Sequence, residues 1–394
     1  MRILFVRKYN PFFESGASSN RFCGLIEGLR QCGNTVDLAI VGGYVKVNEK
    51  IHLQNGVYYL SHANHYSYWS TRLNNYLFDR LHMRIACRKF NKVDYNSYDV
   101  IWITKDQEVL DIISTYRTRL KAKIFIELNE FNDFYINANY NYLQRRKSRR
   151  ASDKFLSVVN QIDLFAVMTN TLVDYYKKIA NQSAKFIHLP MTVDLSRFKD
   201  VQVYNQQYSP YIAFCGSIDK SKDGVDILIK AFTKVSHKYP RVKLVLAGFY
   251  TYDTPDILKL IIQYNMSDRI KYIGPVDKNS IPSFLSSASV LVLSRPDSHQ
   301  AQGGFPTKLG EYLATGNPVC VTRVGEIPLY LDDNVSAFMA VPGDVDSFAD
   351  ALDRALSNPI HSKMVGTKGK YLAESVFNSQ IQATRLSDFL RQCI

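Results

Sequence analysis

The stretch Gly303-Gly304-Phe305-Pro306-Thr307-Lys308-Leu309-Gly310-Glu311-Tyr312-Leu313-Ala314-Thr315-Gly316-Asn317-Pro318-Val319 decides the fold. Its order is loop, helix, stop and strand. Leu309, Tyr312 and Leu313 recur at helical spacing, and the glycines, Phe305 and Pro306 ahead of them leave backbone amides uncovered where the helix begins. Uncovered amides at a helix N-terminus bind anions. Lys308 adds a positive charge in the first turn. Glu311, one turn in, places a carboxylate where it can accept hydrogen bonds from a vicinal diol such as a ribose, so phosphate and sugar would lie side by side. Gly316 closes the helix and Pro318 opens the next strand, making a loop-helix-strand unit of an α/β sheet.

Working outward, residues 2–7 read as a buried strand. A loop follows over 8–20 with Pro11, Gly16 and the polar run Ser18-Ser19-Asn20, and then a helix with Phe22, Leu25, Ile26 and Leu29 on one face. Val36–Val41 returns as a strand, so the chain begins as a βαβ unit whose first loop opens at the carboxyl edge of a parallel sheet. It lacks GxGxxG. Further strands are expected at 100–104, 123–127, 164–168 and 185–189. The pattern loosens over 190–212, where the domain linker is placed. A second series runs through 211–215, 242–247, 270–273, 290–293, 318–322 and 337–340, with helices at about 224–238, 254–265, 280–287, 307–315 and 345–357. The expectation is two doubly wound α/β domains, 1–200 and 205–377, with a helix at 378–394.

At 394 residues the chain is long for a single core, and 46% hydrophobic with 22% charged residues is a globular composition. The net charge of +13 is uneven: residues 1–200 hold 29 Lys and Arg against 18 Asp and Glu, leaving 20 against 18 for the remainder. This bias suits a phosphate-bearing partner, and a solubilising surface accounts for it equally. The six cysteines form no CxxC pair and the eight histidines no HExxH, so no metal site is expected. No charged-then-apolar leader precedes the first strand and no apolar run approaches a membrane span, which makes a cytoplasmic location the expectation. Aromatic and basic residues interleave over 65–92 and 134–154, the latter containing Arg145-Arg146-Lys147-Ser148-Arg149-Arg150. Both stretches suit the inner face of an anionic membrane, and both suit packed amphipathic helices with solvated cations.

The motifs resemble the GT-B glycosyltransferases, specifically the retaining family-4 group (glycosyl transferases group 1). Phe214-Cys215-Gly216-Ser217, Asp223-Gly224-Val225-Asp226, Leu246-Ala247-Gly248, Tyr272-Ile273-Gly274, Gly304-Phe305-Pro306 through Pro318-Val319, and Val324-Gly325-Glu326 carry the likeness, best between about 211 and 345. The resemblance implies two Rossmann-like domains facing across a cleft, with a nucleotide-diphosphate sugar as co-substrate on the second and a glycan or lipid-linked acceptor on the first. It implies no cofactor or metal. The product would be a polysaccharide or glycolipid, and the closing helix 378–394 would pack back on the first domain.

Carried over by position, Glu311 is the ribose-binding glutamate, while the family's preceding motif glutamate falls on Gly303. The arginine and lysine that grip the diphosphate in many members fall on Ser217 and Asp223, leaving Lys222 and Lys308 to supply charge. Gly216, Ser217, Lys222, Gly303, Gly304, Phe305, Pro306, Thr307 and Leu309 are thus the donor-binding candidates. Lys308, Glu311, Asn129 and Glu130 are the catalytic ones, the last two standing where members often have a histidine. Gly16, Ser18 and Ser19 form the acceptor or phosphate loop, although the serines can also serve as helix caps. Arg295 and His299 lie in the loop ahead of the glycines and are weaker candidates. A non-catalytic nucleotide-sugar-binding relative is the alternative, an epimerase or phosphorylase the nearest enzymatic rival. No nucleic-acid recognition motif is present.

Overall fold

The computed structural model describes residues 1–14, 16–42, 53–60, 84–132 and 142–394. The chain divides into two units, one formed by Met1–Pro190 with Gln382–Ile394 and the other by Met191–Ile381. The second unit therefore begins where the sequence pattern first loosens. Val193 donates its amide to Phe377 O (2.8 Å) and accepts from Ser379 N (3.0 Å), and Tyr204 packs its ring edge-on to Phe284, so the polar stretch after Pro190 is folded into that unit.

In the first unit β1 (Arg2–Arg7), β2 (Thr35–Ile40), β3 (Leu53–Gln54), β4 (Val57–Tyr59), β5 (Val100–Ile103), β6 (Lys123–Leu128), β7 (Leu164–Val167) and β8 (Lys185–His188) form one sheet in the order β3-β4-β2-β1-β5-β6-β7-β8. Every pairing is parallel except β3 with β4. Parallel sheets are covered on both faces, which is why these strands are unbroken apolar runs. Alternate residues then serve opposite faces: Leu4, Val6, Ile101, Ile103, Ile124 and Ile126 belong to one buried cluster. Ile3, Phe5, Trp102 and Phe125 belong to the other, with Phe22, Leu25, Ile26 and Leu29 of the helix Ala17–Gln31. Ala383, Leu386 and Leu390, from the helix Ser379–Cys393, complete that second cluster. Asn34 Nδ2 donates to Ser387 Oγ at 2.9 Å and Arg391 Nη2 to Asn34 Oδ1 at 3.0 Å, fixing the helix in register.

The second unit is a six-stranded parallel sheet of β9 (Tyr211–Cys215), β10 (Lys243–Ala247), β11 (Ile270–Tyr272), β12 (Val290–Leu293), β13 (Val319–Thr322) and β14 (Phe338–Ala340), in the order β11-β10-β9-β12-β13-β14. Strand order reverses between β9 and β12. At such a switch point the loops leaving the two strands diverge to opposite faces and open a crevice at the carboxyl edge. In the first unit the reversal lies between β1 and β5.

One expectation changes. The helix after β1 starts at Ala17 behind Gly16, so Ser18, Ser19 and Asn20 occupy its first turn and do not cap it. Of the aromatic and basic stretches, 65–83 and 134–141 lie outside the described residues, while 142–154 belongs to the helix Tyr142–Val158. Among the described residues no helix is long and apolar enough to cross a membrane.

Candidate active site

The helix Thr307–Thr315 lies in the second unit, held against the end of β9 by one fully buried side chain. The Tyr312 hydroxyl accepts from Cys215 N at 2.8 Å and donates to Cys215 O at 3.2 Å. Burial pushes the Tyr312 phenol well above its ordinary value and the Cys215 thiol up to about 12, so both are neutral hydrogen-bonding groups and not bases or nucleophiles. The helix begins at Pro306 with no side-chain cap and ends on Gly316 in the left-handed conformation. Its first turn therefore presents backbone N–H groups, as the sequence pattern implies.

Lys308 extends from that turn to Gly216, the residue after β9. Its Nζ sits where a Cβ on residue 216 would lie, and 5.0 Å from the centroid of the Phe214 ring. The ammonium is ion-paired with Asp223 Oδ2 at 2.5 Å, the lysine side chain 18% exposed and the aspartate 2%. Glu311, one turn along the same face, is ion-paired with Arg197, whose Nη2 also donates to Lys278 O at 3.1 Å. A carboxylate gripped this way is oriented, and it has lone pairs for further donors. The structure thus brings Gly216, Lys308 and Glu311 to one sheet edge. It adds Asp223 and Arg197, which sequence reasoning treated as a departure and as a linker residue.

Other candidates fall differently. Phe305 and Leu309 are core side chains; Phe305 packs at 5.5 Å centroid distance against both Tyr330 and Phe377, so these two offer a ligand only backbone. Gly303 ends the short helix His299–Gly303, and Gly304 N donates to Gln300 O at 2.9 Å, which removes one of the amides expected to be open. Pro306 and Thr307 form the helix entrance. Ser217 is half-buried; Lys222 is exposed, its backbone amide donating to Asp219 Oδ1 at 2.6 Å.

In the first unit Asn129 and Glu130 follow β6, and Asn129 Oδ1 is buried without a hydrogen-bond partner. Beside them Glu127 makes a fully buried ion pair with Arg21, whose guanidinium also donates to Leu189 O at 2.9 Å and Pro190 O at 2.6 Å. Ser19 Oγ donates to Glu14 Oε2 at 3.1 Å, while Gly16 and Ser18 are exposed.

Residues 209–358 match the family model described as Glycosyl transferases group 1. Over 148 residues the chain is 30% identical to an uncharacterized glycosyltransferase of Methanocaldococcus jannaschii, covering 37% of this chain and 36% of that protein. Over 128 residues it is 28% identical to the MMP alpha-(1->4)-mannosyltransferase of Mycolicibacterium hassiacum, covering 32% and 30%. The chain thus spans about a third of the length of these relatives. The solved structure of sucrose-phosphate synthase from Thermosynechococcus elongatus superposes with a TM-score of 0.73 at 17% identity, over 99% of this chain and 98% of that one. The chain therefore has the GT-B fold, and the match to the Glycosyl transferases group 1 model lies within its second unit.

Proposed function

We propose that this chain is a glycosyltransferase that binds a nucleotide-diphosphate sugar on its second unit and passes the sugar to a glycan or lipid-linked acceptor with retention of anomeric configuration. One observation carries the reading: a single helix presents an uncapped N-terminal turn, a lysine at the end of β9 and an oriented carboxylate one turn on. That order fits phosphate followed by ribose. In the reaction the bond between the anomeric carbon and the leaving diphosphate breaks and the acceptor oxygen bonds to the same face. The acceptor's proton passes to a diphosphate oxygen, so no protein base is required. The protein's task is to hold the leaving group's developing charge with donors already in place, for which Lys308 and the amides at Thr307 and Lys308 are suited. Glu311 is suited to the ribose hydroxyls. In the first unit Asn129 Oδ1, a buried acceptor without a donor, is suited to a substrate hydroxyl and Glu130 to its neighbour.

The reading also places the protein at the inner face of an anionic membrane, held through the helix Tyr142–Val158. Tyr142 and Leu143 there are 74% and 72% exposed, and Arg145, Arg146, Lys147, Arg149 and Arg150 are all exposed.

The test is transfer or hydrolysis of labelled nucleotide sugars by the purified protein. Lys308→Ala is expected to lower kcat by about a hundredfold, the scale of losing one donor to a developing anion. Glu311→Ala is expected to raise the donor KM by about tenfold, the scale of a charge-assisted hydrogen bond. Full turnover by both variants would refute the placement of the donor. Binding without turnover across donors and acceptors would favour a non-catalytic relative.

A further inference from the structure

The residue after Ser294 at the end of β12 is an arginine, and its guanidinium has no counterpart in the sequence pattern that describes the helix 307–315. Arg295 is 5% exposed and its Nε is buried without a hydrogen-bond partner. Arginine cannot shed its charge, so leaving such a group unpaired in the interior is costly. Its backbone is pinned: Thr322 Oγ1 donates to Arg295 O at 2.6 Å, and Ser294 Oγ faces Asp223 O at 3.1 Å and Gly224 O at 2.9 Å, donating to both. Gly224 is left-handed, with φ of 64°, and a Cβ there would run into Ser294 O; the turn 223–224 and the loop 294–296 are therefore in direct contact. Burial pulls the Arg295 guanidinium below its ordinary value, and the Asp223 carboxylate acts in the opposite direction. That carboxylate is already the partner of Lys308.

The carboxylate ion-paired with Lys308 thus sits on the turn that the Ser294–Arg295 loop touches, at the switch point between β9 and β12, while the buried Arg295 guanidinium has no ion pair of its own among the described residues. Polar groups so arranged are complementary to an anion. Resting on the donor-site reading, we propose that Arg295 is a second cation of the diphosphate site, and that Asp223 is an internal counter-ion that serves Lys308 and Arg295 until a nucleoside diphosphate replaces it. In the ligand-free protein Asp223 keeps the two cations from repelling each other. With ligand bound, Lys308 turns from the carboxylate to a phosphate oxygen and the planar Arg295 fork supplies donors to the same group. The carboxylate then opposes the bound diphosphate, which speeds its release after transfer.

Calorimetric titration decides this, using whichever of UDP, GDP, ADP, CDP and dTDP raises the wild-type melting temperature, with its nucleoside as control. Arg295→Met is expected to weaken the diphosphate by about tenfold or more, the scale of lost hydrogen bonds to a charged group, while nucleoside affinity is unmoved. Asp223→Asn is expected to lower the melting temperature of the free protein and yet bind the diphosphate more tightly. In the Asp223→Asn background Arg295→Met is again expected to weaken binding, because the arginine acts on the ligand and not through the carboxylate. An Arg295→Met protein that binds like wild type, an effect that vanishes in the Asp223→Asn background, or an Asp223→Asn protein with unchanged or weaker affinity would each overturn the proposal. If Arg295→Met does not fold, Asp223→Asn alone decides. Failure of the wild type to bind any of the five would instead overturn the donor-site reading.

Discussion

At the scale of single residues the site is built by buried polar groups whose partners are far apart in sequence. Lys308 and Glu311 stand out in the chain because they fall on one face of a helix that opens behind a glycine pair. Their partners Asp223 and Arg197 lie 85 and 114 positions away, and no local pattern joins them. Arg295 was a weak candidate for the same reason: a lone arginine after a strand reads as solvated until its burial is known. Tyr312 is legible only as an apolar position at helical spacing, yet its hydroxyl carries the link between helix and strand. Tyr312→Phe keeps the ring and leaves a buried amide unpaired, so urea unfolding should show a loss of about 1–3 kcal/mol. A loss within the error of the measurement would mean that the helix is held by packing alone.

At the scale of elements, legibility follows the size of the buried apolar stripe. The helices 307–315 and 345–357, and the strands 211–215 and 290–293, were placed to the residue because each buries a run of large aliphatic or aromatic side chains. The helix Pro359–Ser375 leaves no helical period legible in the sequence. Its buried face is Ser362, Val365, Gly366, Gly369 and Ala373, which leaves almost no apolar signal, and Ile360, Met364 and Tyr371 are exposed. Those small residues let the helix lie close to other backbone: a Cβ on Gly366 would come within 2.5 Å of Gly316 O, and one on Gly369 within 2.8 Å of Ser336 O. Helix propensity alone favours alanine over glycine by about 1 kcal/mol. Gly366→Ala should nevertheless lower stability, because two backbones would have to separate at the end of the helix 307–315; a raised melting temperature would show that the approach is not tight. In the hairpin of β3 and β4, Asn55-Gly56, both at positive φ, is a strong two-residue turn signal, but the strands are too short to show alternation.

At the scale of the whole molecule the sequence conveyed the α/β class and the two series of strands. The loosening of the pattern at 190 marks where the chain passes from one unit to the other, but not that the polar stretch after it pairs within the second unit. The uneven charge also belongs to this scale. If the helix Tyr142–Val158 meets an anionic surface, each cation near it contributes about 1 kcal/mol. The protein should then sediment with vesicles of phosphatidylglycerol and phosphatidylcholine but not of phosphatidylcholine alone. A variant with Arg145, Arg146, Arg149 and Arg150 replaced by Ala should stay in the supernatant. Equal partition onto both kinds of vesicle would argue against an electrostatic contact. A last consequence concerns the order in which the two cores close during synthesis. The second unit is complete once Ile381 has been made, whereas the first, begun at Met1, still lacks Ala383, Leu386 and Leu390. On the ribosome the half translated first is therefore the half finished last, and its sheet carries an uncovered apolar strip until the helix Ser379–Cys393 arrives.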